Sequence, residues 1–405
     1  MMKNKKNFLS FVLFLFVFFS FSQNWQQLIN FPAAGRDDGS VFVIGNNVYC
    51  GLGNAFGIGP STDFYRFSPV NDTWTTYTVS SLPALGRQYC CSFAYNNFGY
   101  VVSGVDANWN ATNQAWRYDT TTNNWQQKTA MPDSVQGAAC FFINNKAYIC
   151  GGRNQANQCT KNVWEYDVIN DSWLQKNNMT DGGRWRASAA VINNKGYLIF
   201  GADASGKFSN KLFEYDAGLD SWALIDSFPG QGRTYASMCA VNNLLLIALG
   251  IDSANSVYND SHIYDIGAHQ WISQNPLPSF GRKGCMAFAF NNAMYVTAGI
   301  DGTNNRLTET WRAGNVNAIG NYIQNNISLN IFPNPVIEEI KFSIENACPE
   351  NIEISIANAY GKIFFQSIGK AQFGTINISD FSNGIYFLRA KFNNEISTKK
   401  FIVNK

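Results

Sequence analysis

The side chains best suited to polar chemistry fall in a few corresponding turns and loops. Arg36 is followed directly by Asp37 and Asp38, and a guanidinium beside carboxylates can bind hydroxyl groups or take part in proton transfer. Aromatic and cationic residues occupy comparable places further along the chain: Tyr89, Trp109, Arg153, Trp185, Arg186 and Tyr235. Such a set suits a sugar, with its apolar ring faces and hydroxyls, and it also suits a protein loop. The alternative that these are ordinary loop aromatics stays open.

A repeat of about 49 residues sets the spacing of these side chains. Its markers are tryptophans at Trp25, Trp74, Trp125, Trp173, Trp222 and Trp271, and Gly-Arg turns at Arg36, Arg87, Arg184, Arg233 and Arg282, with Val135 in the remaining place. Each repeat also has a glycine 17 residues after the arginine position and an Asn-containing turn between two apolar runs. This order predicts a four-stranded antiparallel meander for each repeat, with all nine candidate residues around one mouth of a central channel.

The GR…NN…Y…G…YD…W pattern over residues 24–315 resembles the kelch repeat of β-propellers. The resemblance implies an all-β fold with six blades. The last repeat lacks its fourth strand, and the segment NWQQLINFP at residues 24–32 copies that strand. We therefore expect the N-terminal strand to complete the sixth blade and close the ring, with Trp25 in the sheet that holds Met294 to Thr297.

Two side-chain series are expected to be structural, because residues that recur in every blade are expected to stabilise the fold rather than to form a unique binding site. The tryptophans are expected to pack between blades, and the Tyr-Asp pairs to bond turn amides. Two residues after the marker glycine, Asp106, Asp203, Asp252 and Asp301 are expected to pair with the arginines of their own repeats. Arg36 has Ala55 at that place, so it remains a candidate for ligand binding.

The two ends of the chain indicate export. Residues 1–22 resemble a signal peptide, with three lysines, an apolar run and small residues before the cut. The propeller is predicted at 23–314, a linker at 315–326 and a small β-sandwich at 327–405. This last segment resembles the type A C-terminal sorting domain of the Bacteroidetes type IX secretion system, through these elements: Pro333-Asn334-Pro335, Tyr360-Gly361-Lys362, Gly384-Ile385-Tyr386-Phe387 and Lys399-Lys400. That resemblance implies handling by the type IX machinery and a secreted or cell-surface location. No transmembrane segment is expected after the signal is removed.

The composition of the chain limits the partners, cofactors and disulfides that we expect. Removal of the leader lysines takes the net charge from +2 to about −1, and without a basic cluster nucleic acid is not an expected partner. The two histidines, His262 and His269, and the absence of a CxxC pair give no support for a metal or another cofactor. The nine cysteines do not suggest a disulfide scaffold, although Cys150 and Cys159 flank one loop and could pair.

Two functions remain open at this stage. The preferred interpretation is an exported propeller that binds a glycan or protein ligand without catalysis. The alternative is a sugar epimerase or mutarotase, since bacterial six-bladed kelch propellers include sialic acid mutarotases. Such an enzyme needs a general acid or base beside a carboxylate-binding arginine, and Asp37 or Asp38 with Arg36 could serve.

Overall fold

The computed structural model describes residues 25–314, 328–345, 352–358, 362–369, 373–392 and 395–405. Within these ranges the chain forms β-strands and no helix, so none is present that could span a bilayer. The predicted signal peptide 1–22 lies outside the described residues, and so does the predicted linker 315–326. The chain divides into two compact units after Val316.

Six antiparallel four-stranded sheets make up the first unit, which confirms the all-β prediction. In the first five sheets the strands follow one another in chain order. Their bounds are Ser40–Ile44, Asn47–Gly51, Phe64–Ser68 and Thr73–Trp74; Cys91–Tyr95, Phe98–Val102, Ala115–Asp119 and Asn124–Lys128; Ala139–Ile143, Lys146–Cys150, Val163–Asp167 and Ser172–Lys176; Trp185–Ile192, Lys195–Ala202, Lys211–Asp216 and Ser221–Ser227; and Ser237–Val241, Leu244–Ala248, Ser261–Asp265 and Gln270–Gln274.

The sixth sheet joins the two ends of the unit. Its strands are Met286–Phe290, Ala293–Thr297 and Thr310–Ala313, with Trp25–Gln27 as the outermost strand. Trp25 pairs with Ala313 and Gln27 with Trp311, so the expected place of Trp25 in the sheet of Met294 to Thr297 is confirmed. The last repeat supplies only three strands, and the N-terminal strand covers the edge that would otherwise be left unpaired.

The sheets pack in a cyclic order. The first strand of each sheet packs beside the first strand of the next, and that of the sixth packs beside that of the first. Burial follows the same order: in the third sheet the second strand is almost wholly buried, whereas the fourth, Ser172–Lys176, alternates between half-buried and exposed residues. The inner strands therefore form the core, and the outer strands face solvent.

Short two-residue strands precede the first strand in four of the repeats and carry the Gly-Arg turns. They pair with the segment just after the marker glycine. Their bounds are Arg36–Asp37 with Asn54–Ala55 and Gly59–Pro60, Arg87–Gln88 with Val105–Asp106, Arg233–Thr234 with Ile251–Asp252, and Arg282–Lys283 with Ile300–Asp301. These ladders hold the turn and the loop of each repeat on the same end of its sheet.

The repeated tryptophans connect neighbouring sheets. The indole Nε1 of Trp125 donates to the carbonyl of Ser80 at 2.8 Å, and that of Trp173 donates to Thr129 at 2.8 Å. Trp25, Trp74 and Trp222 make the same bond to the segment that follows the preceding sheet. The Trp271 indole, by contrast, is buried without a partner.

The second unit has two sheets packed on one apolar core. One contains Ser328–Phe332, Glu339–Glu345 and Phe373–Asn377, and the other contains Ile363–Gly369, Ile352–Asn358, Gly384–Phe392 and Glu395–Val403. Leu388 and Phe401 are fully buried between them. This is the sandwich expected for the C-terminal segment, although the predicted Tyr360-Gly361 turn lies outside the described residues.

Candidate functional site

Six corresponding residues form a ring of backbone hydrogen bonds, each two positions after the arginine of its turn or, in the third repeat, after Val135. They are Asp38, Tyr89, Gly137, Arg186, Tyr235 and Gly284. The N–H of each donates to the carbonyl of the member from the preceding sheet, at 2.6 to 3.3 Å, and the N–H of Asp38 donates to Gly284. All six have φ between 58° and 66°, a left-handed conformation that costs energy in a residue with a side chain. The repeated geometry fixes where these side chains begin.

The ring surrounds a cavity of about 220 Å³ at one end of the channel. Four of the nine predicted site residues line it: Asp38, Tyr89, Arg186 and Tyr235. Below them the walls are formed by small residues of the first strands, together with Cys90 and Cys285, in which burial raises the pKa of each thiol to about 12. The cavity therefore has an ionisable, aromatic rim and less polar walls.

Arg186 is the central cation of this rim. Its Nη2 donates to the Tyr89 hydroxyl at 3.0 Å, and its Cζ lies 3.4 Å from the ring centroid of Trp185 and 4.0 Å from that of Tyr235. Its Nε is buried and has no hydrogen-bond partner. Among the described residues no carboxylate forms an ion pair with Arg186. A desolvated guanidinium with an unused donor is suited to binding an anion.

Tyr89 and Tyr235 meet across the channel. They come from the second and fifth sheets, which are opposite in the cyclic order, and their hydroxyl oxygens lie 3.3 Å apart. Burial, followed by the negative charge of Asp38, raises the pKa of Tyr89, so this hydroxyl keeps its proton. The pair therefore offers two hydroxyl groups beside Arg186, and that of Tyr89 is neutral.

Asp38 differs from an ordinary carboxyl group. Burial raises the pKa of Asp38 well above its usual range, and the neighbouring charge of Asp37 raises it further, against the opposing effect of Arg186. Asp37 itself is buried and accepts a bond from Arg306 Nε at 2.6 Å. Of the two adjacent carboxyls, Asp38 is thus the one available to exchange a proton at the cavity, while Asp37 joins the first and sixth repeats.

Arg36 does not line the cavity, and its selection as a ligand-binding residue was wrong in this respect. Its side chain is fully buried, and Nη1 and Nη2 lie 2.6 and 3.0 Å from the two carboxylate oxygens of Asp63. The guanidinium also stacks on Phe31, with Cζ 4.6 Å from the ring centroid. Arg36 is therefore occupied in holding its own repeat together.

The pairing expected for the other arginines was also wrong. Arg233 bonds Asp260, Arg282 bonds Glu309 and Arg87 bonds Gln114, in each case 27 residues further along.

The aspartates that follow the marker glycine instead bind their own loops. Asp252, for example, faces Arg233 in the backbone ladder, but its carboxylate accepts bonds from the amides of Ala254 and Ser256. The tight loop leaves these amides without backbone partners, and a nearby carboxylate satisfies them.

Arg153 and Trp185 lie beside the cavity. They line a second cavity of about 320 Å³, which Arg186 also lines. The Arg153 Cζ is 4.5 Å from the ring centroid of Trp185. Because guanidinium groups lie over the aromatic rings, these rings do not offer the free faces that sugar stacking was expected to use.

Trp109 lies apart from these residues. It is 60% exposed in the loop of the second repeat and lines neither cavity.

One cation near the rim is absent from the predicted set. Lys283 Nζ lies 5.8 Å from the ring centroid of Tyr235. Its position in the sequence could have identified it, because Lys283 directly follows Arg282 just as Asp37 follows Arg36. Within the described ranges no three potential metal ligands lie together.

The cysteines of the described ranges are free thiols, and Cys150 and Cys159 are not bonded to each other. Cys150 is buried in its strand, while the Cys159 thiol contacts the carbonyl of Ala202 in the neighbouring sheet. The pairing considered from the sequence is therefore wrong in this structure.

Comparisons with known proteins agree with this fold. A family model for the secretion system C-terminal sorting domain matches residues 330–404, so the chain carries a tail for export through type IX secretion to the cell surface or beyond it. A solved structure titled "Structure of YjhT" is similar, with a TM-score of 0.62 and 20% identity, over 70% of this chain and 96% of that one. No curated protein matches the chain.

The first unit has a family match of its own. The Attractin/LZTR1 β-propeller model matches residues 48–307, which include five of the six sheets entirely or in large part. Because this match spans more than half of the chain, the chain belongs to that β-propeller family.

Proposed function

We propose that the exported propeller binds an acidic sugar at the channel mouth, with the carboxylate of the sugar on Arg186. The observation that carries this proposal is the Arg186 guanidinium, which is desolvated, lacks an ion pair among the described residues and has a buried Nε without a partner. An unsatisfied buried donor costs about 1–3 kcal/mol, and an anion recovers that cost when the Arg186 side chain turns its Nε toward the cavity.

The surrounding groups favour a glycan over a protein loop. The cavity is small, at about 220 Å³, and its rim offers the hydroxyls of Tyr89 and Tyr235 together with the Asp38 carboxyl. These groups can donate to and accept from sugar hydroxyls, whereas a protein loop would need a broader surface.

Titration calorimetry on the purified protein tests the proposal. N-acetylneuraminic acid and galacturonic acid serve as acidic probes, and galactose serves as the neutral one. We expect at least one acidic sugar to bind and galactose to bind about tenfold more weakly or worse, because it lacks the charge-assisted bond to Arg186. Equal binding of all three sugars, or of none, would overturn the proposal.

Arg186→Gln then locates the site, since it removes the charge while keeping a long polar side chain. The matched control is Arg117→Gln, which removes the same charge from the third strand of the second sheet, where Arg117 bonds Gln126. We expect loss of acidic-sugar binding only in the first variant, with unfolding curves confirming that both are folded. Unchanged binding in Arg186→Gln would exclude this cavity.

A second candidate is catalysis of proton transfer on the same sugar, as in mutarotation. It is favoured by one observation, the raised pKa of Asp38 beside the hydroxyl of Tyr89, which keeps a protonated carboxyl available as a general acid. Exchange between the anomers of N-acetylneuraminic acid, followed by NMR, distinguishes the two functions. Acceleration that disappears in Asp38→Asn supports the enzyme, and binding without acceleration supports the binding protein.

A further inference from the structure

The second cavity continues from the channel mouth over the third and fourth sheets. Arg153, Trp185 and Ser205 line it together with Arg186, and Arg186 also lines the channel cavity. Because one guanidinium borders both spaces, they are neighbours and a single extended molecule can occupy them together.

Two guanidinium groups flank Trp185. The Cζ of Arg186 lies 3.4 Å from its ring centroid and that of Arg153 lies 4.5 Å from it. In four other repeats the place of Arg153 holds an apolar residue, namely Val105, Ala202, Ile251 and Ile300. A buried apolar residue satisfies the fold at this position, so the fold itself does not require a cation there.

Among the described residues, neither of these two guanidinium groups forms a direct ion pair, although the charge of Asp38 acts on Arg186. Asp203 also lines the second cavity, and its carboxylate accepts bonds from the amides of Ser205 and Lys207. Burial lowers the pKa of Arg186, Tyr89 and Asp38 oppose this, and the adjacent charge of Arg153 lowers the pKa further. Like charges held close in a partly desolvated site attract anions that can lie between or beside them.

We propose that the ligand is an acidic oligosaccharide with at least two charged units, one carboxylate on Arg186 and the next on Arg153. This inference rests on the proposed function and adds a second subsite to it. The second cavity, at about 320 Å³, has room for the additional unit.

Calorimetry with paired probes tests this inference. N-acetylneuraminic acid is compared with its α2,8-linked dimer, and galacturonic acid with digalacturonic acid. We expect the dimer of the bound sugar to bind about tenfold more tightly than the monomer, the equivalent of one further charge-assisted hydrogen bond. In Arg153→Gln the ratio of the two affinities should fall to about one, because the dimer loses its second charge-assisted contact.

Lys161→Gln is the matched control, because Lys161 is exposed, belongs to the same repeat and loses the same charge. It should bind both probes like the unaltered protein. Equal affinities for monomer and dimer, or an equal effect of Arg153→Gln on both, overturn the second subsite alone. Failure of every acidic sugar to bind overturns the proposed function and this inference with it.

Discussion

Arg36 and Asp63 form a bidentate ion pair, with a fully buried guanidinium and a carboxylate that is still 32% exposed. The pair links the turn before the first sheet to the start of its third strand. Arg36→Ala should therefore lower the free energy of unfolding by about 3 kcal/mol, through the lost pair and the space left beside Phe31. Urea unfolding measures this. Loss of ligand binding with unchanged stability would contradict the structural role.

Asp38 should make the protein less stable as the pH rises. Its pKa is raised by burial in the folded state, so the folded protein keeps a proton that the unfolded chain loses above about pH 4. This contribution favours folding most at low pH and declines as the pH rises through the raised pKa. Asp38→Asn should lack the decline, so thermal unfolding curves between pH 4 and 8 should show a smaller loss of stability with pH in the variant.

Asp260 should give the opposite dependence of stability on pH. Although burial opposes it, the bonds from Arg233 and His262 lower the pKa of Asp260 to about 2. Its contribution of about 2 kcal/mol is complete above the ordinary pKa of an aspartate and is lost as the pH falls from about 4 to about 2. Acid unfolding of Asp260→Asn should lack this portion of the transition, and the variant should already be weaker at pH 7. Identical acid transitions would show that the ion pair contributes nothing.

The two channel tyrosines should differ in their effect on binding. Tyr89→Phe removes the bond that orients Arg186 as well as the contact with Tyr235, whereas Tyr235→Phe removes only the contact across the channel. We expect the first variant to weaken binding of the acidic sugar about five- to tenfold and the second to weaken it less. Calorimetry compares them, and a larger loss in Tyr235→Phe would argue against Arg186 as the anchor.

Most of the cysteines should react only after unfolding, with Cys140 as the exception, because a hydrogen bond from Cys91 lowers its pKa. Burial raises the pKa of Cys90, Cys239 and Cys285 to about 12, so their reactive thiolate forms are scarce in the folded protein. Alkylation without prior reduction, read by mass spectrometry, should modify the eight cysteines of the described ranges in denaturant and few of them in buffer. Residual unmodified pairs in denaturant would indicate disulfides.

The repeat predicted the sheets well because its marker residues determine the backbone conformation of the turns. Asn-containing turns and marker glycines specify hairpins locally, and the copied segment at residue 24 placed Trp25 against Ala313 across the whole unit. Four of the nine candidate side chains converge on the channel cavity, because equivalent turn positions must share one end of the sheets.

The partners of these side chains were harder to predict. Backbone adjacency of Arg233 and Asp252 suggested a pair, but the loop amides compete for that carboxylate and Asp260 lies closer to the guanidinium. The contact of Arg153 with Trp185 joins two different repeats and follows no spacing rule. Contacts of this kind depend on the rotamers and distances between sheets, which the order of residues along one repeat does not specify.

The ring of six N–H to carbonyl bonds has a consequence for how such a site can change. Each ring residue is held by main-chain atoms of both neighbours, and glycine, aspartate, arginine and tyrosine all occupy equivalent places with nearly the same φ. The side chain at each place is thus largely independent of the scaffold beneath it. Gly137 is the position where a new side chain could project into the channel with small shifts, since a Cβ there would lie 3.3 Å from its nearest neighbour, Arg186 Cγ, whereas at Gly284 a Cβ would lie 2.6 Å from Asp38 Oδ1.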